Sequence, residues 1–177
     1  AVPVISNGIA YVNGYGSPLN DPGNTLDVGP FEDALQYDSD DDGLLSRDEL
    51  PEGRARQRIR MSDLDRDGKL SEKDWNYFRN SMAMTNGMFA IRLGGSGDMT
   101  DENFLWLYSR AVPQLPSPIL YKDLLYMIND GGIVTILNPT TGEQLDQGRL
   151  QGAVDSYYAS PVAGDGKIYM VSELGMV

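Results

Sequence analysis

The sequence predicts a mostly β protein carrying one α-helical insertion, and three features lead to that class. A Pro–turn–Tyr hairpin pattern occurs three times, two of its copies stand 43 residues apart, and a stretch rich in aspartate and arginine separates the first copy from the other two. The bulk composition agrees with a folded chain. Of 177 residues, 41% are hydrophobic and 23% charged, while 20 glycines and 10 prolines favour short strands and turns over a helix bundle.

The hairpins are read first. Pro3-Val-Ile-Ser-Asn-Gly-Ile-Ala-Tyr11, Pro118-Ile-Leu-Tyr-Lys-Asp-Leu-Leu-Tyr126 and Pro161-Val-Ala-Gly-Asp-Gly-Lys-Ile-Tyr169 share one plan. Each has a proline, a few extended residues, a polar turn and a strand bearing tyrosine. Pro118 to Pro161 and Gly132 to Gly175 both span 43 residues, a period suited to a four-stranded propeller blade. In the middle copy the four strands fall at about Ser117–Tyr121, Leu124–Asn129, Ile133–Leu137 and Glu143–Leu150. The turn Asn138-Pro-Thr-Thr-Gly142 joins the last two, with proline presetting φ and glycine free to take φ > 0. Three unrelated hairpins with coincident spacing are the plainer alternative.

Pro3 to Pro118 exceeds one period by about seventy residues, so a segment of that size interrupts the first blade. The expected division is a first propeller hairpin over residues 1–17, an inserted metal-binding segment over 18–85, and the remaining blades over 86–177. The insertion opens with a Pro/Gly/Asn/Asp linker from Pro18; strand character resumes at Gly87-Met-Phe-Ala-Ile-Arg92, and Phe104-Leu-Trp-Leu-Tyr108 closes the blade. The result is a partial β-propeller of about two and a half four-stranded blades plus a paired calcium-loop insertion. Propellers close with more blades than that. The chain therefore reads as a piece of a longer polypeptide, or as a unit that covers its open faces by self-association. Ala1 stands first without an initiator Met or apolar leader, as in a trimmed or mature segment.

Two twelve-residue stretches carry the chemistry. In Asp38-Ser-Asp40-Asp-Asp42-Gly43-Leu44-Leu45-Ser46-Arg-Asp-Glu49, carboxylates at positions 1, 3 and 5 offer three hard oxygens. The stretch resembles an EF-hand loop, which implies a backbone carbonyl from Leu44 at position 7, Ser46 acting through water at position 9 and a bidentate Glu49 at position 12. Gly43 allows the bend that aims the first three inward. Leu45 faces the partner loop. The second stretch supplies Asp63, Asp65, Asp67, the Lys69 carbonyl, Ser71 and Asp74, with Gly68 at the bend. Asp74 is one methylene shorter than Glu49, so it coordinates through one oxygen or through water, and Mg²⁺ competes better there. A merely solvated acidic turn is the alternative for each loop.

Both stretches closely resemble the loops of the EF-hand family, which implies one Ca²⁺ in the first and another in the second. Their starts are only 25 residues apart, short for a paired hand, so one short helix must serve both. That spacing argues for a compact, metal-stapled insertion rather than an opening sensor. Phe31, Ala34 and Leu35 mark a helix before the first loop, and Trp75, Phe78 and Met82 one after the second. Pro51 suits the first turn of the linking helix, with Ala55 and Ile59 on one face. Arg54, Arg56, Arg58 and Arg60 on that helix read as solvated charges balancing the acidic loops, with a docking surface for an acidic partner as the second reading.

Ser117-Pro118, Leu125-Tyr126-Met127, Asp130-Gly131-Gly132 and Asn138-Pro-Thr-Thr-Gly142 resemble the quinoprotein (PQQ-like) propeller repeat, a likeness that spans a little over half the chain. The resemblance implies an exported protein, periplasmic or extracellular. Fold does not carry function with it. PQQ-dependent dehydrogenases of that family add a quinone cage and a catalytic aspartate at a calcium–quinone centre. Here there are no cysteines to cover a quinone, and the repeat's tryptophan is missing from Glu143–Leu150, leaving Trp106 as the candidate for its place. No histidine is present, so imidazole bases and zinc ligands are excluded; no cysteine means no thiol catalysis or disulfides. No complete catalytic constellation is visible, and PQQ is not expected in this chain. The net charge of −12 argues against nucleic acid, and no apolar run spans a membrane. The expected function is a non-catalytic, calcium-binding scaffold for an unidentified protein or small-molecule partner. The alternative is part of a PQQ-dependent dehydrogenase-like enzyme whose active site lies largely outside these residues.

Overall fold

A computed structural model describes residues 1–16 and 27–177, so the expected linker beginning at Pro18 lies outside the described residues. The chain is mostly β and divides into two compact units: Ala1–Pro22 with Thr85–Val177, and Gly23–Met84.

The first unit holds two four-stranded antiparallel sheets and one hairpin. Strands β1 (Val4–Ser6) and β2 (Ile9–Gly14) pair across the Asn7-Gly8 turn, where both residues have positive φ, as a tight hairpin turn requires. The chain leaves this sheet after β2 and returns, beyond the second unit in sequence, as β5 (Gly87–Arg92) and β6 (Phe104–Tyr108). The sheet order is β1-β2-β5-β6. A second sheet follows, built from β7 (Ile119–Tyr121), β8 (Leu124–Asn129), β9 (Ile133–Leu137) and β10 (Gln144–Arg149) in simple up-and-down order. The hairpin of β11 (Val162–Gly164) and β12 (Lys167–Tyr169) completes the unit.

Period-2 alternation decides which side chains meet. Leu125, Met127 and Leu137 of the second sheet pack against Tyr11, Met88, Ala90, Trp106 and Tyr108 of the first. On the opposite face of β8, Ile128 joins Tyr157 and Met170, with Val134 and Ile168 beside them. Strand β8 therefore reads as an almost continuous apolar run because both of its faces are covered. Trp106 lies across the Asn138–Gly142 turn of the next sheet. Its indole N–H donates to the Pro139 carbonyl at 3.0 Å, and a Cβ at Gly142 would stand 2.6 Å from the ring.

The repeats are also linked by a recurring polar contact. The Val2 N–H donates to the Ser117 hydroxyl at 2.6 Å, and the Ser117 N–H donates to the Ser160 hydroxyl at 2.9 Å. Val2, Ser117 and Ser160 each precede the proline that opens a hairpin.

In the second unit, helix α1 (Phe31–Ala34) runs into a single 3₁₀ turn, Leu35–Tyr37. The two-residue strands β3 (Leu45–Ser46) and β4 (Lys69–Leu70) form an antiparallel bridge. Helix α2 (Arg54–Ser62) links the loops, and α3 (Glu72–Ala83) follows the second. One expectation needs correction. Pro51 is not in the first turn of α2, because Gly53, in an extended conformation, caps a helix that starts only at Arg54. The core contains Phe31, Ala34, Leu45, Leu50, Ile59, Leu70, Trp75, Phe78 and Met82, with Leu35 and Ala55 packed at its margin. Among the described residues no helix is long and apolar enough to cross a membrane.

Candidate metal centre

Two acidic loops, both within the second unit, share a framework of hydrogen bonds, to which the second adds Asp63 Oδ1 accepting the Arg66 N–H at 2.6 Å and Asp65 Oδ1 accepting the Asp67 N–H at 3.3 Å. In the first, Asp38 Oδ2 accepts the Gly43 N–H at 2.9 Å; in the second, Asp63 Oδ2 accepts the Gly68 N–H, also at 2.9 Å. Those glycines have φ of +77° and +91°, the left-handed region that lets each loop turn back on its first aspartate. The residue four places into each loop, Asp41 or Arg66, is also left-handed. Asp42 Oδ1 accepts the Leu44 N–H at 2.9 Å, and Asp67 Oδ1 accepts the Lys69 N–H at 2.8 Å. These bonds fix the carboxylates without occupying all their lone pairs.

The acids that end the loops are wired alike despite their different lengths. Glu49 Oε1 accepts the Ser39 N–H, and Oε2 accepts the N–H and hydroxyl of Ser46, at 2.9, 2.8 and 2.7 Å. Asp74 Oδ1 accepts the Leu64 N–H, and Oδ2 accepts the N–H and hydroxyl of Ser71, at 2.9, 2.9 and 2.6 Å. Each acid ties the second residue of its loop to the ninth. Asp74 does so from the first turn of α3, where Ser71 and Asp74 form a reciprocal capping box at the positive end of the helix.

Between the loops, Leu45 pairs with Leu70 and Ser46 with Lys69. Both leucines are fully buried, so the bridge is pinned to the core formed by the flanking helices. Carboxylate oxygens of Asp38, Asp40 and Asp42 lie within 4.8 Å of one another, as do those of Asp63, Asp65 and Asp67.

Such convergence of like charge is costly unless something positive answers it. For the first cluster part of the answer is Lys69, whose ammonium contacts Asp42 and stands 3.7 Å from Asp40. That contact, followed by the Leu44 N–H, holds the Asp42 carboxyl below its ordinary value; the same contact raises Lys69. The backbone N–H of Ser46, then its hydroxyl, then the same two groups of Ser39 pull Glu49 down to about 2. Burial pushes the Asp74 carboxyl upward, yet the Ser71 hydroxyl and the N–H groups of Leu64 and Ser71 leave it lowered.

The donor set suits a hard divalent cation. It consists of oxygens, several already oriented, and it includes one orphan: Asp38 Oδ1 is buried with no hydrogen-bond partner. Of the residues the sequence proposes, the structure brings together Asp38, Asp40 and Asp42 in one loop and Asp63, Asp65 and Asp67 in the other, while Glu49 and Asp74 are not part of those clusters and bind Ser46 and Ser71 respectively. The Leu44 and Lys69 carbonyls follow their respective bend glycines in the same loops.

Two contacts escape sequence reading. The Ser39 hydroxyl donates to Glu49 at 2.9 Å, and the Lys69 side chain reaches the loop opposite its own. The only hint of the latter is a lysine directly before the leucine of the bridge. Of the arginines of α2, Arg60 is exposed as expected, while Arg54, Arg56 and Arg58 are half-buried, and Arg56 pairs with Glu52 at 3.4 Å and Asp48 at 3.9 Å.

No family model matches the chain, and no curated protein matches it.

Proposed function

We propose that this chain is a calcium-binding β-propeller module, a non-catalytic scaffold in which an EF-hand pair is stapled by the ions it binds. The observation that carries the calcium reading is the duplicated wiring of the two loops. A first aspartate held by the glycine N–H, three converging carboxylates and a closing acid recur in both. Asp38, Asp40, Asp42, the Leu44 carbonyl, Ser46 and Glu49 would hold one Ca²⁺. Asp63, Asp65, Asp67, the Lys69 carbonyl, Ser71 and Asp74 would hold the second. The ion supplies charge neutralisation and cross-links the flanking helices; the chain supplies preset oxygens.

The propeller reading draws support from the stacked up-and-down sheets, the indole laid across the Gly142 turn and the serine contacts that relate successive repeats. The scaffold reading draws support from apolar side chains left exposed late in the chain: Val162 on β11, and Leu174, Met176 and Val177 after β12, are each at least 65% exposed. Large exposed apolar surface marks sites of protein contact. A partner protein or further units of the same repeat would cover it. Export to the periplasm or outside the cell would suit the calcium concentrations there.

Hydrogen exchange in calcium and after chelation tests the function. Binding confined to the folded state stabilises it by about 2.7 kcal/mol at a hundredfold excess over Kd. Chelation is expected to lower protection over residues 38–74 while leaving β7–β10 unchanged. Equal protection with and without calcium would count against the proposal.

A further inference from the structure

We infer that Lys69 is a tethered competitor for the first loop, so that a divalent ion must displace its ammonium from Asp40 and Asp42 before that loop can fill. The inference rests on the calcium reading and adds to it an internal control of affinity. Its basis is positional. Lys69 belongs to the second loop, where its carbonyl stands at position 7, but the β3–β4 bridge sets it opposite Ser46 of the first. From there the side chain crosses to the carboxylates at positions 3 and 5, contacting Asp42 and lying 3.7 Å from Asp40. A monovalent cation thus sits on two of the three clustered aspartates of its neighbour.

The arrangement is not reciprocal. Position 7 of the first loop is Leu44, which carries no charge. Among the described residues no lysine or arginine forms an ion pair with Asp63, Asp65 or Asp67. The loop closed by the longer acid, Glu49, is therefore the one carrying a resident cation, while the loop closed by Asp74 carries none. Lys69 offsets the expected advantage of the first loop and draws the two affinities together. It also links the sites, because an ion entering the first loop releases a side chain whose own carbonyl lines the second.

The test is a calcium titration of the full chain followed by NMR at the Gly43 and Gly68 amides, one in each loop. Replacing lysine by an uncharged residue of similar length removes the competitor. In Lys69→Gln and Lys69→Met the Gly43 midpoint is expected at about two- to fivefold lower calcium than in the parent, with the difference narrowing as salt rises. The Gly68 midpoint should move less, and Lys69→Arg, which keeps the cation, should stay near the parent. A Gly43 midpoint unchanged or raised in both neutral variants, with the parent binding calcium normally, would overturn the inference and leave the calcium reading standing. If neither amide responds to millimolar calcium in the parent or the neutral variants, both fail. Response at Gly43 only in the neutral variants would support both.

Discussion

Replacing Leu70 by alanine should destabilise the second unit by about 3 kcal/mol. Leu70 is fully buried, pairs with the equally buried Leu45, and belongs to the same core as Ile59, Trp75 and Phe78. The change deletes three carbons, worth about 0.8 kcal/mol each in transfer free energy, roughly 2.4 kcal/mol together. A further fraction of a kilocalorie reflects the cavity left behind. The bridge has two residue pairs and flanks two constrained loops, so little backbone is free to collapse into the space. The chain has two tryptophans, Trp75 in this unit and Trp106 in the other, so a Trp106→Phe background leaves Trp75 as sole reporter. Urea titration followed by Trp75 fluorescence should show the loss as a lowered midpoint at unchanged slope. Leu64→Ala, at a residue 45% exposed, serves as the control and should stay within about 0.5 kcal/mol of the parent. A cost below about 1 kcal/mol for Leu70→Ala would refute the claim that the bridge is anchored through this side chain.

Three further outcomes follow. The Glu49 carboxyl should titrate near 2 in metal-free protein, measured by carbon NMR; a midpoint above 4 would contradict its hydrogen bonding to Ser46 and Ser39. Because its folded pKa is lowered, its contribution to stability is complete above the unfolded value of about 4.3 and fades as pH falls towards 2, a dependence Glu49→Gln should flatten. Gly142→Ala should cost about 1–3 kcal/mol in thermal unfolding, since its φ is +72° and the new methyl would press on Trp106; an unchanged Tm would contradict that packing. Ser160→Ala removes the acceptor of the Ser117 N–H and should speed exchange of that amide without unfolding the sheets; unaltered exchange would show the bond to be unimportant.

Much of the strand pattern was legible because its signals are local. Period-2 alternation and paired turn residues placed β8 and β9 at the expected bounds, Leu124–Asn129 and Ile133–Leu137, and the flanking strands are only a residue or two shorter than read. The loops were legible for the same reason, since each builds its cluster from side chains only a few residues apart. Local rules misplaced the start of α2. Proline at 51 suits a helix N-terminus, but Glu52 and Gly53 form a turn after Leu50 has been drawn into the core. What could not be read depends on long-range placement. Lys69 reaches Asp42 only because the bridge sets the loops side by side. Trp106, named from the sequence as the candidate for the missing tryptophan's place, lies across the Gly142 turn from a strand of the other sheet.

The most direct test is an electron-density and anomalous-scattering map from crystals grown in millimolar calcium. Two peaks are expected: one among Asp38, Asp40, Asp42 and Glu49, the other among Asp63, Asp65, Asp67 and Asp74, each with oxygens at about 2.3–2.6 Å. Maps showing only water at both places would contradict the account at its centre.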